Sequence, residues 1–294
     1  MQSHILWLSL CGVAVTCAAT PSQASIVNPT GLSDLILWLD SETGVSADAN
    51  GVATWADQSG SSNNLSQAVN GRKASIAVGV TPTGRNAISF VTGGDGSDFL
   101  LSNAADLQLD ATFTAFFVIS PDVLPSNANQ RFAGNYSQGK FRFNNGKASM
   151  HAGVDADLNS PLPQANQFQT IVYRRDSNVQ IGIDSDFDGN VSLTTTSNSS
   201  NTSSSAFVLG GVPNSHTGGA FGSFDGDIAA VVIYDRTLTD NEVNMVSGYL
   251  NEEFISGAHV VPEPSSGIIL AGAILCVAGC AYVRRRRRPR RQHP

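Results

Sequence analysis

Residues 25–258 are predicted to fold as an all-β sandwich closed by one late helix. Three observations carry that expectation. Strand-forming runs recur with Gly, Asn, Asp and Ser punctuating them at roughly 8–12-residue intervals, the rhythm of short antiparallel strands. One helix start signal stands near residue 240, followed by apolar residues at helical spacing. The four cysteines of the chain (Cys11, Cys17, Cys276, Cys280) all lie outside this segment. An exported domain without cysteine must be stable through its core, and about 235 residues suffice for one all-β domain.

The elements follow in order. Leu35-Ile36-Leu37-Trp38-Leu39-Asp40 reads as a buried opening strand. Val52 to Gly60 carries a strand into the polar turn Asp57-Gln58-Ser59-Gly60. Ala87 to Val91 is a strand, and Thr112 to Ile119, with Phe113, Phe116 and Phe117, is the longest β-rich run. Phe141-Arg142-Phe143 and Lys147 to His151 flank Asn144-Asn145-Gly146, a strong hairpin signal because a tight I′ turn needs two positive φ angles. Phe168 to Tyr173, Val179 to Ile183 and Ala206 to Leu209 follow. Ile228 to Tyr234 is continuously apolar, so it belongs in the middle of a sheet. Thr239-Asp240-Asn241-Glu242 is a capping box, and Val243, Val246, Tyr249 and Leu250 share one helical face. The Thr239–Phe254 helix is expected at one end or edge of the sandwich.

Three of these segments resemble the concanavalin A-like, laminin G-like jelly-roll superfamily. They are Leu37-Trp38-Leu39-Asp40 with Trp55 to Gly60, Phe224 to Ala229 with Val232 to Arg236, and Leu238 to Val243 with Tyr249-Leu250. The resemblance implies a concanavalin A-like jelly-roll β-sandwich with one C-terminal helix. It leaves function open, because its members include lectins, adhesion modules and glucanases.

Charge narrows the possible partners. The net charge of −7 comes from 17 basic and 24 acidic residues. Seven of the arginines lie in 284–291, and Glu263 also lies beyond His259. The preceding domain therefore keeps 10 basic and 23 acidic residues, a balance of −13. Such a surface repels nucleic acid and suits divalent cations or neutral glycans.

Catalysis finds little support. Glycoside hydrolysis needs two carboxylates flanking the sugar. The glucanase members carry a Glu-x-Asp-x-x-Glu strand, which this sequence lacks. Its domain glutamates are Glu42, Glu242, Glu252 and Glu253, none on a mid-sheet strand. His151 and His216 are isolated, the ordinary pattern of structural or solvated histidines.

Asp184, Asp186 and Asp188, followed by Gly189, resemble the first half of an EF-hand Ca²⁺ loop. Thr195 stands where the bidentate Glu would be, and no flanking helices are expected. The competing reading is an acidic hairpin turn between Val179–Ile183 and Val191–Leu193. The Thr194–Ser205 tract reads as a flexible loop whose hydroxyls could carry sugars.

The ends address the domain. Met1–Ala24 resembles a secretory signal peptide, with an apolar run from Ile5 to Ala19 and small residues at Ser22-Gln23-Ala24. Leu10 and Thr16 precede the two cysteines where a lipoprotein signal needs a small residue. At the other end, Pro262-Glu263-Pro264 is stiff and extended. Gly267–Val283 is uncharged and would span about 25 Å as a helix, short for a bilayer core. Arg284, Arg285, Arg286, Arg287 and Arg288 form a basic stop that stays in the cytoplasm.

These three parts in order resemble the PEP-CTERM sorting signal of Gram-negative bacteria (residues 259–294). The resemblance implies Sec export, a transient inner-membrane stage with the domain in the periplasm, and removal of the tail by a membrane-embedded cysteine protease, exosortase. The expected protein is a non-catalytic surface or matrix protein that binds or structures extracellular polysaccharide. The alternatives are a glycan hydrolase and a ligand-free structural matrix protein.

Overall fold

The computed structural model describes residues 26–257 apart from 93–97, 103–106, 108, 110–111, 127, 136–139, 152–154, 185, 187, 199–205, 214–219 and 222–223. The signal segment, Pro262, Glu263, Pro264, Arg284–Arg288 and His216 lie outside the described residues.

The strands in chain order begin with β1 (Leu35–Asp40), β2 (Val45–Asp48), β3 (Gly51–Trp55), β4 (Leu65–Ser66), β5 (Ser75–Ala77), β6 (Ala87–Phe90) and β7 (Leu100–Ser102). Then come β8 (Phe113–Pro121), β9 (Asn129–Asn135), β10 (Lys140–Asn144), β11 (Lys147–His151), β12 (Asp155–Asp157) and β13 (Gln169–Arg175). The last are β14 (Asn178–Ile183), β15 (Thr194–Asn198), β16 (Phe207–Leu209), β17 (Val212–Pro213), β18 (Ala220–Phe221) and β19 (Gly226–Tyr234), before helix α1 (Asp240–Asn251).

The first sheet has eight strands in the order β15-β14-β13-β8-β19-β6-β5, with β1 also paired to β19. β1 and β6 share one side of β19, β1 along Ala230–Tyr234 and β6 along Gly226–Ile228. β8 takes its other side. The apolar strand at Ile228–Tyr234 is therefore central, as its composition requires. The second sheet has nine strands in the order β12-β11-β10-β9-β16-β7-β4-β3-β2.

Period-2 alternation divides the apolar residues between two layers. Phe113, Ala115, Phe117 and Ile119 of β8 face the second sheet and pack among Phe132, Phe141 and Phe143. Phe117 and Phe141 lie 4.9 Å apart between ring centroids. Phe116 and Val118 point the opposite way and join Val232 and Tyr234 of β19 in a second cluster. A register shift between Ile228 and Ala230 lets Ile228 and Val231 both face inward.

Helix α1 covers that second cluster with Val243, Val246 and Leu250, continued by Phe254 and Ile255 in a π-helical turn. It thus lies on the outer face of the first sheet and not at an end or edge, which corrects the sequence expectation. The reason is in β8 and β19: both are apolar on both faces, so both faces must be covered. Thr239 and Glu242 close the capping box as the sequence requires. Arg174 locks the helix start by donating to the Leu238 carbonyl at 2.8 Å and to Asp240 Oδ1 at 2.6 Å.

Two turns follow from composition. Asn145 and Gly146 take φ of 50° and 76° and join β10 to β11 with Asn144 opposite Lys147. Asp57 holds the turn after β3 by accepting from the Trp38, Ser59 and Asn63 amides. One expectation fails at β15. The strand begins at Thr194, not Val191, and occupies the first part of the tract expected to be a loop. Three successive β-branched threonines fit a pleated edge better than a coil.

Candidate functional site

α1 packs on the outer face of the first sheet, and a polar cluster occupies outward positions of the second, where Arg142 and Ser149 are buried and Asp155 is exposed. On strands β10 to β12 the inward positions are Phe141, Phe143, Ala148, Met150 and Ala156. Alternation turns Arg142, Asn144, Ser149, His151, Asp155 and Asp157 outward. On β9 the matching position is Arg131, which stands directly opposite Arg142.

Cross-strand register arranges these residues in rows. Arg131, Arg142, Ser149 and Asp157 are successive partners across four strands. His151 faces Asp155 in the neighbouring row. That row continues through Lys140, Gly134, Val208, Leu101 and Ser66 to Thr54.

The charged end is tightly connected. Arg142 Nη2 lies 2.6 Å from Asp155 Oδ1, and His151 Nδ1 lies 2.5 Å from the same oxygen. Arg142 Nε donates to Ser149 Oγ at 3.4 Å. Asn144 Nδ2 donates to both oxygens of Asp157, at 3.1 and 3.2 Å. Lys147 Nζ donates to Asn159 Oδ1 at 2.7 Å. The Arg142 side chain is only 5% exposed, whereas Asp155 is half exposed. A buried cation thus meets solvent through a carboxylate at the surface.

The electrostatics follow from this geometry. Partial desolvation pushes the Asp155 carboxyl up, but hydrogen bonds from His151 and Arg142, with the Arg142 charge, outweigh it and hold it below the usual range. Asp155 is therefore ionised at neutral pH. Burial lowers the pKa of Arg131, the adjacent Arg142 charge lowers it further, and Asp155 partly offsets both. The carboxylate, amide and imidazole groups that reach the surface, Asp155, Asp157, Asn144 and His151, can donate to and accept from a polyol without moving a proton.

The acidic loop is tied to helix α1 through Asp184. Asp184 is buried, and its carboxylate accepts from the Asp188 amide at 3.2 Å, the Gly189 amide at 2.9 Å and Asn251 Nδ2 at 2.7 Å. Asp188 Oδ1 accepts from the Asn190 amide at 2.8 Å. Asp186 and Asp188 are exposed. Asp184 points into the protein and the other two do not join it. Among the described residues no group of three His, Cys, Asp or Glu could hold a metal ion. Nor is any described helix long and apolar enough to cross a membrane.

His151 is not isolated, as its sequence context suggests, but bonded to Asp155. Sequence reasoning missed Arg131, Arg142, Asp155 and Asp157. The available signal was the alternation Phe141-Arg142-Phe143 and Asp155-Ala156-Asp157, which puts charge on one face and apolar side chains on the other.

Comparison with known proteins agrees with this architecture. The family model described as the concanavalin A-like lectin/glucanases superfamily matches residues 93–244. No curated protein matches by sequence. Among solved structures, the binding domain of Paraclostridial Mosquitocidal Protein 1 is similar at a TM-score of 0.52 and 14% identity, over 77% of this chain and 53% of that one. The binding domain of botulinum neurotoxin serotype D/C gives 0.49 and 15%, over 76% and 53%. Domain 4 of an extracellular arabinanase from Geobacillus stearothermophilus, solved with arabinotriose, gives 0.44 and 13%, over 72% and 97%. The chain spans about half the length of the two toxin binding domains.

Proposed function

Because this chain belongs to the concanavalin A-like lectin/glucanases superfamily, we propose that it is an exported, non-catalytic protein that binds or organises extracellular polysaccharide. The binding surface in this reading is the outer face of the second sheet. The observation that carries it is the set of accessible polar side chains on that face, Asn144, His151, Asp155 and Asp157, with Asp155 held by the buried Arg142 and Ser149 beneath it. Such an array matches a surface of sugar hydroxyls, each both donor and acceptor.

A hydrolase reading draws on one feature: Asp155 and Asp157 stand two residues apart on the same face. Hydrolysis needs one carboxyl to hold a proton near neutral pH. Asp155 is held ionised by Arg142 and His151, and Asp157 is engaged by the Asn144 amide. Both features favour binding over cleavage.

The address remains the one written in the ends. Met1–Ala24 directs Sec export, and the Pro262-Glu263-Pro264 motif, the Gly267–Val283 span and Arg284–Arg288 hold the chain in the inner membrane until an exosortase-type protease cuts. The domain then passes to the cell surface or extracellular matrix of a Gram-negative host.

Two measurements test the proposal. Binding to a polysaccharide panel, with reducing-sugar release followed in parallel, is expected to give retention without release. Release would establish the hydrolase, and failure to bind any polysaccharide would leave a structural matrix protein. Intact mass from the native host is expected to end near Pro264; a mass retaining 267–294 rejects processing.

A further inference from the structure

We propose that the tip of the β5–β6 hairpin is a lipid-contact surface. Ile76, Val78 and Val80 rest on the bilayer while the C-terminal segment holds the chain in the membrane, and leave it when that segment is cut. This rests on the reading of Gly267–Val283 as a span and names what the domain touches at that stage.

Among the described residues seven large hydrophobic side chains are exposed, and five of them fall between Val69 and Val91. Scattered singly, such residues are ordinary, but three follow one another at alternate positions along β5 and the turn after it. Val78 is 78% exposed, Val80 42% and Ile76 38%. β5 ends its sheet, so no further strand of that sheet lies against it. Pro82 and Gly84 extend the same exposed tip.

Charge sets this tip apart from the rest of the surface. The domain balance of −13 is one that an anionic bilayer repels. Residues 58–94 depart from it: they hold Arg72, Lys73 and Arg85 and no Asp or Glu. Ala74 to Gly84 carries no charge at all. Acids from other elements meet the flanks. Asp48 pairs with Lys73, Glu253 pairs with Arg85, and Glu42 accepts from the Asn86 amide. The tip is thus a neutral apolar patch on an acidic domain.

The chain also leaves the domain at this place. Thr83 Oγ1 donates to the Glu253 carbonyl at 2.8 Å, and the Arg85 guanidinium lies over the Phe254 ring, 5.4 Å from its centroid. These contacts fasten the π-helical turn after α1 to the hairpin. Gly257 follows, and a Cβ built there would lie 4.0 Å from Thr83 Cγ2. From Gly257 the uncharged run at Gly267 is reached in a tether of about 30 Å at full extension. A tether this short keeps the tip near the bilayer at an effective concentration of about millimolar. Contacts too weak to hold a free domain on a membrane suffice for a tethered one, and they are lost when the tether is cut.

The chain as export leaves it, Ser25–Pro294 with Cys276→Ser and Cys280→Ser, is placed in vesicles of phosphatidylethanolamine and phosphatidylglycerol that carry nitroxide-labelled lipid. A fluorophore sits on Pro82→Cys at the tip, or on Ser177→Cys in the β13–β14 turn toward the other edge of the same sheet. Quenching at position 82 is expected to exceed that at position 177 at least twofold. It should fall to the position-177 level when Val78→Ser and Val80→Ser are combined, with the melting curve unmoved because both sites are exposed. It should fall equally in a chain ending at Pro264.

Equal quenching at both positions, in a chain that floats with the vesicles, overturns the contact and leaves the span standing. A chain that does not float with them overturns the span reading itself. Quenching kept in the double Ser variant overturns the assignment to these valines, and quenching kept in the chain ending at Pro264 overturns the dependence on the tether. Shielding of position 82 from water without lipid quenching, rising with the protein-to-lipid ratio, means that a second copy covers the tip and overturns the lipid contact.

Discussion

Oδ2 of Asp184 accepts a 2.7 Å hydrogen bond from the side-chain amide of Asn251, which ties the β14–β15 loop to the last residue of α1. The loop and helix also touch through backbone. Gly189 has a φ of 82°, and a Cβ built there would lie 2.6 Å from Gly248 Cα. The Val191 amide donates to Asn244 Oδ1 at 2.9 Å. The triple-Asp sequence that resembles an ion loop is thus a clamp on the helix that covers the first sheet. Asp184→Ala would leave the Asn251 amide and the Gly189 amide buried without their acceptor. The expected loss is about 2–4 kcal/mol, read as a lower midpoint in urea unfolding with an unchanged slope.

Gly189→Ala tests the same contact from the backbone side. The substitution needs both an unfavourable positive φ and room that Gly248 occupies. A destabilisation of at least about 1–3 kcal/mol is expected. Gly146→Ala supplies the contrast: it shares a positive φ of 76° but has open space around its Cβ, so it should lose less.

Calcium should leave the domain unmoved. Both Asp184 oxygens already accept hydrogen bonds from the chain, and Asp186 and Asp188 do not converge on them. A ligand that binds the folded state raises its stability by RT ln(1 + [L]/Kd). Melting temperatures in EDTA and in millimolar Ca²⁺ are expected to coincide. A rise with Ca²⁺ would mean that the loop opens to take the ion.

Two carboxyl groups give opposite slopes in acid. Burial raises the Asp184 pKa above 3.8, although bonds from Asn251 and Gly189 pull the other way. Between 3.8 and that raised value the folded state binds more protons than the unfolded one. Its contribution is full below 3.8 and declines as pH rises through the raised value. Glu242 behaves oppositely. Hydrogen bonding to Arg236 holds it at about 2, against an ordinary 4.5. Its contribution is full above 4.5 and is lost as pH falls toward 2. Glu242→Gln should flatten the acid limb below pH 4.5. Asp184→Asn should remove the decline that sets in as pH rises above 3.8. Chemical denaturation at a series of pH values checks both; parallel curves for wild type and Glu242→Gln would refute the ion-pair assignment.

How much of this was legible before the structure depends on how each residue signals. β8 and β19 announced themselves because long apolar runs have no other stable place than the middle of a covered sheet. The capping box at Thr239 and Glu242 is local chemistry and reads directly. The position of α1 does not, because the apolar patch beneath it is assembled by the pairing of β8 with β19, which are distant in sequence. The candidate site was hidden for a different reason. β12 is Asp-Ala-Asp, too short to show a period, and β9 places the adjacent Phe132 and Ala133 both in the core at a register shift, which breaks its alternation. Cross-strand neighbours such as Arg131 and Arg142 are eleven positions apart, and only register brings them together.

Asp155 offers the sharpest probe of that face. Its carboxylate is the acceptor for both Arg142 and His151, and it is the exposed end of a chain that begins at a buried guanidinium. Asp155→Ala leaves Arg142 desolvated and without its counter-charge. Because Asp155 is half exposed, water partly replaces it, and the expected loss is about 1–3 kcal/mol rather than the larger figure for a fully buried pair. Asp155→Asn keeps the shape and an acceptor oxygen but not the charge, so it should fold closer to wild type. Urea unfolding of both variants beside the wild type checks this order, and equal midpoints for Asp155→Ala and Asp155→Asn would refute a role for the acceptor oxygen that Asn keeps.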